Sequence, residues 1–201
     1  MKQKIAILLI LAGIGLAVMT VKAVYFSPQE EASISASEAA ELGFSEAPTT
    51  QEEALPSRII IPKLGIDTDV QLVGITEKGN MAVPTNFTDT GWYKYGTLPG
   101  EEGSAVIAGH ETDGLSRPAI FGRLSELEPG DEFYIVREDG KKLTFIVKRE
   151  EIIPYDIKGQ KLEEIFNLKG GRYLNLITCA GEWLPEAKTN DKRLVTYTEM
   201  I

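Results

Sequence analysis

The apolar positions of this chain fall into two unlike blocks. Near the start, Ile5 to Val21 is an unbroken uncharged run, preceded by Lys2 and Lys4 and followed by Lys22, Ala23 and Val24. Taken to Val24, the run makes about 30 Å of helix, enough for a bilayer core if the Lys22 side chain reaches the interface. The pattern therefore predicts an N-terminal membrane anchor over residues 1–24. The basic residues before the run favour a cytoplasmic N-terminus with the remainder of the chain outside, a single-pass protein of the cell membrane. A cleavable signal peptide is the competing reading, because Val21-Lys22-Ala23 loosely resembles a small-x-small cleavage site; either reading exports the rest of the chain.

After Arg58 the apolar residues come in short runs broken by Gly, Pro, Asp and Asn, the pattern of an all-β sandwich or barrel. Strands are predicted at Arg58 to Ile61, Val70 to Ile75, Ala105 to Ala108, Glu132 to Arg137, Lys142 to Ile153, Tyr173 to Thr178 and Arg193 to Thr198. Asp139-Gly140 between two alternating runs is a hairpin signal. Phe121 to Leu127 and Leu162 to Phe166 have helix-compatible spacing but are too short to stand alone. Between the two blocks, residues 25–57 are rich in Glu, Ala, Ser, Thr and Pro without Lys or Arg, which reads as an acidic flexible stalk.

Composition narrows the function. A chain of 201 residues has room for one well-buried domain, here 58–201, plus attachments. A formal net charge of -9 argues against nucleic acid as a partner, since phosphate contacts need clustered Lys and Arg. One cysteine, Cys179, means no intramolecular disulfide, and one histidine, His110, means that a Cys-His mechanism has a single possible pairing. Taken alone, the usual roles would be a core hydrophobe and a structural imidazole.

Both residues close apolar runs. Alternation would put Asn175, Ile177 and Cys179 on one face of their strand, and His110 follows Ser104 to Gly109, so thiol and imidazole sit where strands give way to loops. A nucleophilic Cys needs a nearby base or cation, which His110 can supply. Arg193 opens a strand that comes after the Cys strand and a loop, and antiparallel pairing would bring its guanidinium beside Cys179 as a donor to an oxyanion. Otherwise it is an exposed strand-end Arg covering apolar surface.

Leu176-Ile177-Thr178-Cys179 resembles the sortase signature Thr-Leu-x-Thr-Cys, with Asn175 where the first Thr is usual. Ala108-Gly109-His110 resembles the histidine motif of that family, and Arg193 falls where its arginine is expected. Gly91-Trp92-Tyr93, Gly96, Pro99-Gly100, Phe121-x-x-Leu124 and Pro129-Gly130-Asp131 are similar to class F and the related class D or E sortases. The resemblance covers about Arg58 to Ile201 and implies an eight-stranded β-barrel. It also implies a transpeptidase in which Cys179 forms a thioacyl enzyme, His110 handles protons and Arg193 steadies the oxyanion. The substrates implied are secreted proteins bearing a Leu-Pro-x-Thr-Gly-like sorting signal, and the acceptor an amine of a peptidoglycan precursor or a pilin subunit. Thr178 and Ile177 beside the nucleophile, with Ile157, Leu162 and Phe166 of the 154–171 segment, are the substrate-binding candidates; Ile165 shares that segment. No cofactor is called for, and no acidic cluster has ligand spacing that argues for calcium or another metal.

Two alternatives stand beside this reading. A papain-like hydrolase or L,D-transpeptidase would also use Cys, but papain-like sites place Cys at a helix start with His later in the chain. A non-catalytic extracellular β-barrel binding peptide or wall material would leave Cys179 inert.

Overall fold

The computed structural model describes residues 54–201. The expected anchor and most of the expected stalk lie outside these residues. Among the described residues no helix is long and apolar enough to cross a membrane.

Eight strands, β1 (Pro56–Ile61), β2 (Ile66–Val73), β3 (Thr90–Tyr93), β4 (Gly103–Ala108), β5 (Glu132–Arg137), β6 (Lys142–Pro154), β7 (Arg172–Leu184) and β8 (Thr189–Met200), close into a barrel of order β1-β2-β3-β4-β7-β8-β6-β5. The β2–β3 and β4–β7 pairs are parallel and the others antiparallel. Closure leaves no strand edge open. A short helix, α1 (Gln160–Phe166), and 3-10 turns at Pro62–Leu64 and Leu124–Glu126 complete the regular structure. The all-β expectation and the brief helices thus match what the chain forms.

Alternation sorts the strands into an inner and an outer face. Leu174 and Leu176 of β7, Ala105 and Ile107 of β4, and Ile59, Phe133, Ile135 and Phe145 fill the interior, where the Phe133 and Phe145 rings stack with centroids 5.6 Å apart. The opposite residues of the same strands, Val106, Ile177, Val195 and Tyr197, form a second apolar cluster outside the barrel with Ile153, Ile157, Ile165 and Phe166. Burial of Ile165 there supplies what a seven-residue helix lacks by itself. Salt bridges fasten α1 further: Lys161 reaches Glu151 at 2.9 Å and Glu164 at 2.8 Å, while Arg149 pairs with the same two carboxylates.

Several boundaries differ from the pattern reading. β1 begins at Pro56, inside the stretch read as stalk, and β2 runs from Ile66 to Val73 rather than from Val70 to Ile75. β3, with Thr90, Gly91 and Trp92 all buried, is not among the predicted strands, because it is only four residues long and is interrupted by a glycine. Its glycine is required: a Cβ at Gly91 would lie 2.7 Å from Val73 Cγ1. The Asp139-Gly140 turn joins β5 to β6, with Gly140 N–H donating to Arg137 O at 2.9 Å and Gly140 at φ 78°. The largest correction concerns β7 and β8. Neither Cys179 nor Arg193 is at a strand end, since the hairpin continues past both to Leu184 and Thr189 through a bulge between Ala180 and Trp183. Bulges of this kind re-aim side chains, and this one begins next to the thiol.

Candidate active site

Register brings the three candidate residues into one row. Cys179 is the direct cross-strand partner of Arg193 in the β7–β8 ladder. On the other side, β4 runs parallel to β7 with Ala108 opposite Ile177, and the ladder continues one step, Gly109 N–H donating to Ile177 O at 3.1 Å. Two residues on, His110 reaches the level of Cys179. Neighbouring strands lie about 4.8 Å apart, so the imidazole, thiol and guanidinium arise from three adjacent strands within the reach of their side chains. All three belong to the outer face that carries Val106, Ile177 and Val195.

Local contacts fix the row. The Thr178 hydroxyl, buried, donates to Gly109 O at 2.8 Å and ties the residue before the thiol to the residue before the imidazole. Gly109 cannot be replaced without movement, because a Cβ would lie 2.5 Å from the Phe121 ring. His110 O accepts from Phe121 N–H at 2.9 Å, and the Phe87 ring meets the imidazole edge-on at 4.9 Å. His110 Nε2 lies 3.0 Å from Pro84 O. A carbonyl only accepts, so this contact assigns the proton to Nε2 and leaves Nδ1 for exchange.

Burial pushes the Cys179 thiol pKa up; the Arg193 charge pulls it down, Glu111 pushes it up, and a backbone bond from Asn190 pulls it down. Arg193 donates from Nη1 to Asn190 O at 3.0 Å and Lys192 O at 2.7 Å, and from Nη2 to Thr189 Oγ1. Of the five guanidinium donors, three are thus engaged by its own hairpin, leaving Nε–H and one Nη2–H for a ligand.

The other candidates separate. Ile177, Ile157 and Phe166 pack in the outer apolar cluster, with Phe166 against Tyr93 at 5.7 Å. Leu162 points away from that cluster and is 41% exposed. Asn175 is buried and donates to Ile165 O at 2.7 Å, so the residue that departs from the family signature holds the end of α1. A cavity of about 420 Å³ borders the row and is lined by Thr178, Cys179, Ala180 and Leu194, by Phe121 and Leu124, and by Glu111, Glu150 and Glu151. Of these carboxylates Glu111 acts directly on the thiol, and the sequence signalled it only by adjacency to His110. Among the described residues no group of three His, Cys, Asp or Glu could hold a metal ion.

Solved structures share this fold. The chain is similar to sortase C1 of GBS pilus island 1 (24% identity, TM-score 0.55, covering 72% of this chain and 63% of that one). It is similar to the Streptococcus agalactiae sortase C1 in its complex with MTSET (26% identity, TM-score 0.55, 72% and 66%). A further structure of sortase C1 from Streptococcus agalactiae has 21% identity and TM-score 0.56, covering 85% and 79%. The chain thus spans just under two thirds of the length of the first two, 63% and 66%. No curated protein matches it significantly. The family model described as the sortase domain matches residues 59–201, well over half of the chain, and with the closed barrel and the row at its face this establishes that the chain belongs to the sortase family.

Proposed function

We propose that the chain is a cysteine transpeptidase that cleaves a sorting-signal peptide of the Leu-Pro-x-Thr-Gly kind and transfers the acyl part to an amine of a peptidoglycan precursor or a pilin subunit. The observation that carries this reading is the row formed by His110, just past the end of β4, with Cys179 on β7 and Arg193 on β8. In the reaction Cys179, deprotonated through His110 Nδ1, attacks the scissile carbonyl. The oxyanion accepts from the free donors of Arg193, and His110 returns the proton to the leaving amine. The resulting thioester is resolved by the acceptor. A thiol raised by burial makes the thiolate–imidazolium form a minor one, which the Arg193 charge favours.

Ile177, Ile157 and Phe166 offer the apolar wall against which the Leu-Pro part of the signal packs, and exposed Leu162 extends it. Thr178 contributes by holding Gly109, and through it His110, rather than by a free hydroxyl. An N-terminal anchor over residues 1–24 would hold the enzyme at the outer face of the cell membrane, and the motifs around Trp92 and Phe121 favour class F or the related classes D and E.

The test is incubation of the purified full-length chain with a Leu-Pro-x-Thr-Gly peptide set and a nucleophilic amine. Cleavage with a new amide bond, absent in Cys179→Ala, is expected. Equal inertness of wild type and variant across the set, with a thiol that resists soft electrophiles, would favour the non-catalytic binding module instead.

A further inference from the structure

Three carboxylates face the cavity beside Cys179, and two of them are already engaged. Glu151 is paired with Arg149 and Lys161. Glu150 accepts from the Thr196 hydroxyl at 2.9 Å. Glu111 has no salt bridge among the described residues, and its nearest donor is Asn190 Nδ2 at a long 3.5 Å. Its backbone, by contrast, is fixed: Glu111 O accepts from Ala119 N–H at 2.9 Å, and Gly122 packs so close that a Cβ there would lie 2.5 Å from the same oxygen. The side chain is therefore held at the wall that also presents the thiol. Burial raises the pKa of this carboxyl, with Arg193 acting in the opposite sense. Such a group is poised to gain from a cation that arrives with substrate.

The reaction supplies one. The acceptor amine is an ammonium ion in water, and it must reach the thioester on Cys179 while the acyl part of the sorting signal still covers the outer face. The cavity, whose lining includes both Cys179 and Glu111, offers space for it beside the thioester.

Resting on the transpeptidase reading, we infer that Glu111 is the acceptor-recognition residue, receiving the incoming ammonium in this cavity and taking one of its protons. The step balances. Thioacyl Cys179, the acceptor R–NH3⁺ and the Glu111 carboxylate give the amide, free Cys179 thiol and protonated Glu111. Of the three ammonium protons one goes to Glu111, one passes through His110 to the departing sulfur, and one remains on the amide nitrogen. The C–S bond breaks as the C–N bond forms, and Glu111 then releases its proton to solvent.

The experiment compares wild type, Glu111→Gln and Glu111→Asp in full-length protein, using the Leu-Pro-x-Thr-Gly peptide that wild type cleaves fastest and two nucleophiles: triglycine, a cationic amine, and hydroxylamine, largely uncharged at neutral pH. The readout is the ratio of aminolysis to hydrolysis product for each nucleophile, which is independent of how fast the acyl enzyme forms. The Gln variant is expected to lose about tenfold in this ratio for triglycine with hydroxylamine little changed, and the Asp variant to recover part of the loss. An unchanged triglycine ratio, or an equal fall for both nucleophiles, overturns the assignment of Glu111 while leaving the transpeptidase reading intact. A wild type that forms no acyl enzyme overturns both. Should the Gln variant not fold, Glu111→Asp read against wild type decides: a triglycine ratio unchanged in that variant, or fallen equally for hydroxylamine, overturns it.

Discussion

The inside of the barrel and the outer strip of β4, β7 and β8 are made by the same strands, one residue out of phase, yet they are specified differently. Inside, Leu174 and Leu176 are two among many apolar side chains that fix one another by packing. Outside, one step along the same backbone, Asn175 and Cys179 are placed by ladder register and by single hydrogen bonds such as that of Asn175 to Ile165 O. The interior is therefore redundant and tolerant of function-neutral change, whereas the strip has one residue per task. Damage to the first should appear as lost stability and damage to the second as lost chemistry.

The sharpest separation comes from Cys179→Ala, which should abolish peptide cleavage and transfer, a fall of at least about 10³-fold, while thermal melting stays close to wild type. Phe133→Ala should do the reverse. Emptying a fully buried site stacked on Phe145 is expected to cost about 3–5 kcal/mol, read by urea unfolding, with the residual folded protein still reactive at Cys179. Arg193→Ala is expected to lower turnover by about 10²- to 10³-fold, the size of a lost oxyanion donor. An intermediate case is Thr178→Val, which keeps the shape but leaves Gly109 O without its 2.8 Å donor in a buried setting. It should cost about 1–3 kcal/mol and, by loosening the step before His110, slow acyl-enzyme formation as well. A result in which only stability moves would place Thr178 with the interior.

The smallest effects concern the thiol. Because burial raises its pKa, the pH midpoint for alkylation of Cys179 by iodoacetamide should lie above that of the denatured chain, with reaction at neutral pH correspondingly slower. Since Arg193 lowers this pKa and Glu111 raises it, Arg193→Ala should move the midpoint further up and Glu111→Gln should move it down, each by a few-fold in rate at neutral pH. Shifts of the same sign in both variants would contradict the electrostatic account.

Much of this was legible in the residues. Short β-rich runs and turn chemistry located seven of the strands and the β5–β6 hairpin, among them β4, every residue of which is buried. β3 escaped because it is only four residues long and its Gly91 reads as a breaker, although tight packing on Val73 explains it. The extension of β7 past Cys179 escaped because Gly181 and Pro185 look like loop residues, yet a bulge carries the pairing through. The partnership of His110, Cys179 and Arg193 was suggested by uniqueness and motif, but their alignment depends on pairing between distant strands, which local pattern does not encode. Pro84 and Phe87, the neighbours of the imidazole, left no signal at all, since they come from a loop whose path is set by tertiary contacts.

The position of β8 between β7 and β6 has a temporal consequence. During synthesis the imidazole and the sulfur emerge first, but the strand that carries the guanidinium and closes the cylinder comes last of the eight. Until it slots in, the β6 and β7 edges are unpaired and Cys179 lacks its positive neighbour. The row of three side chains is thus assembled only as the fold is completed, and a half-made chain holds its sulfur without a guanidinium beside it.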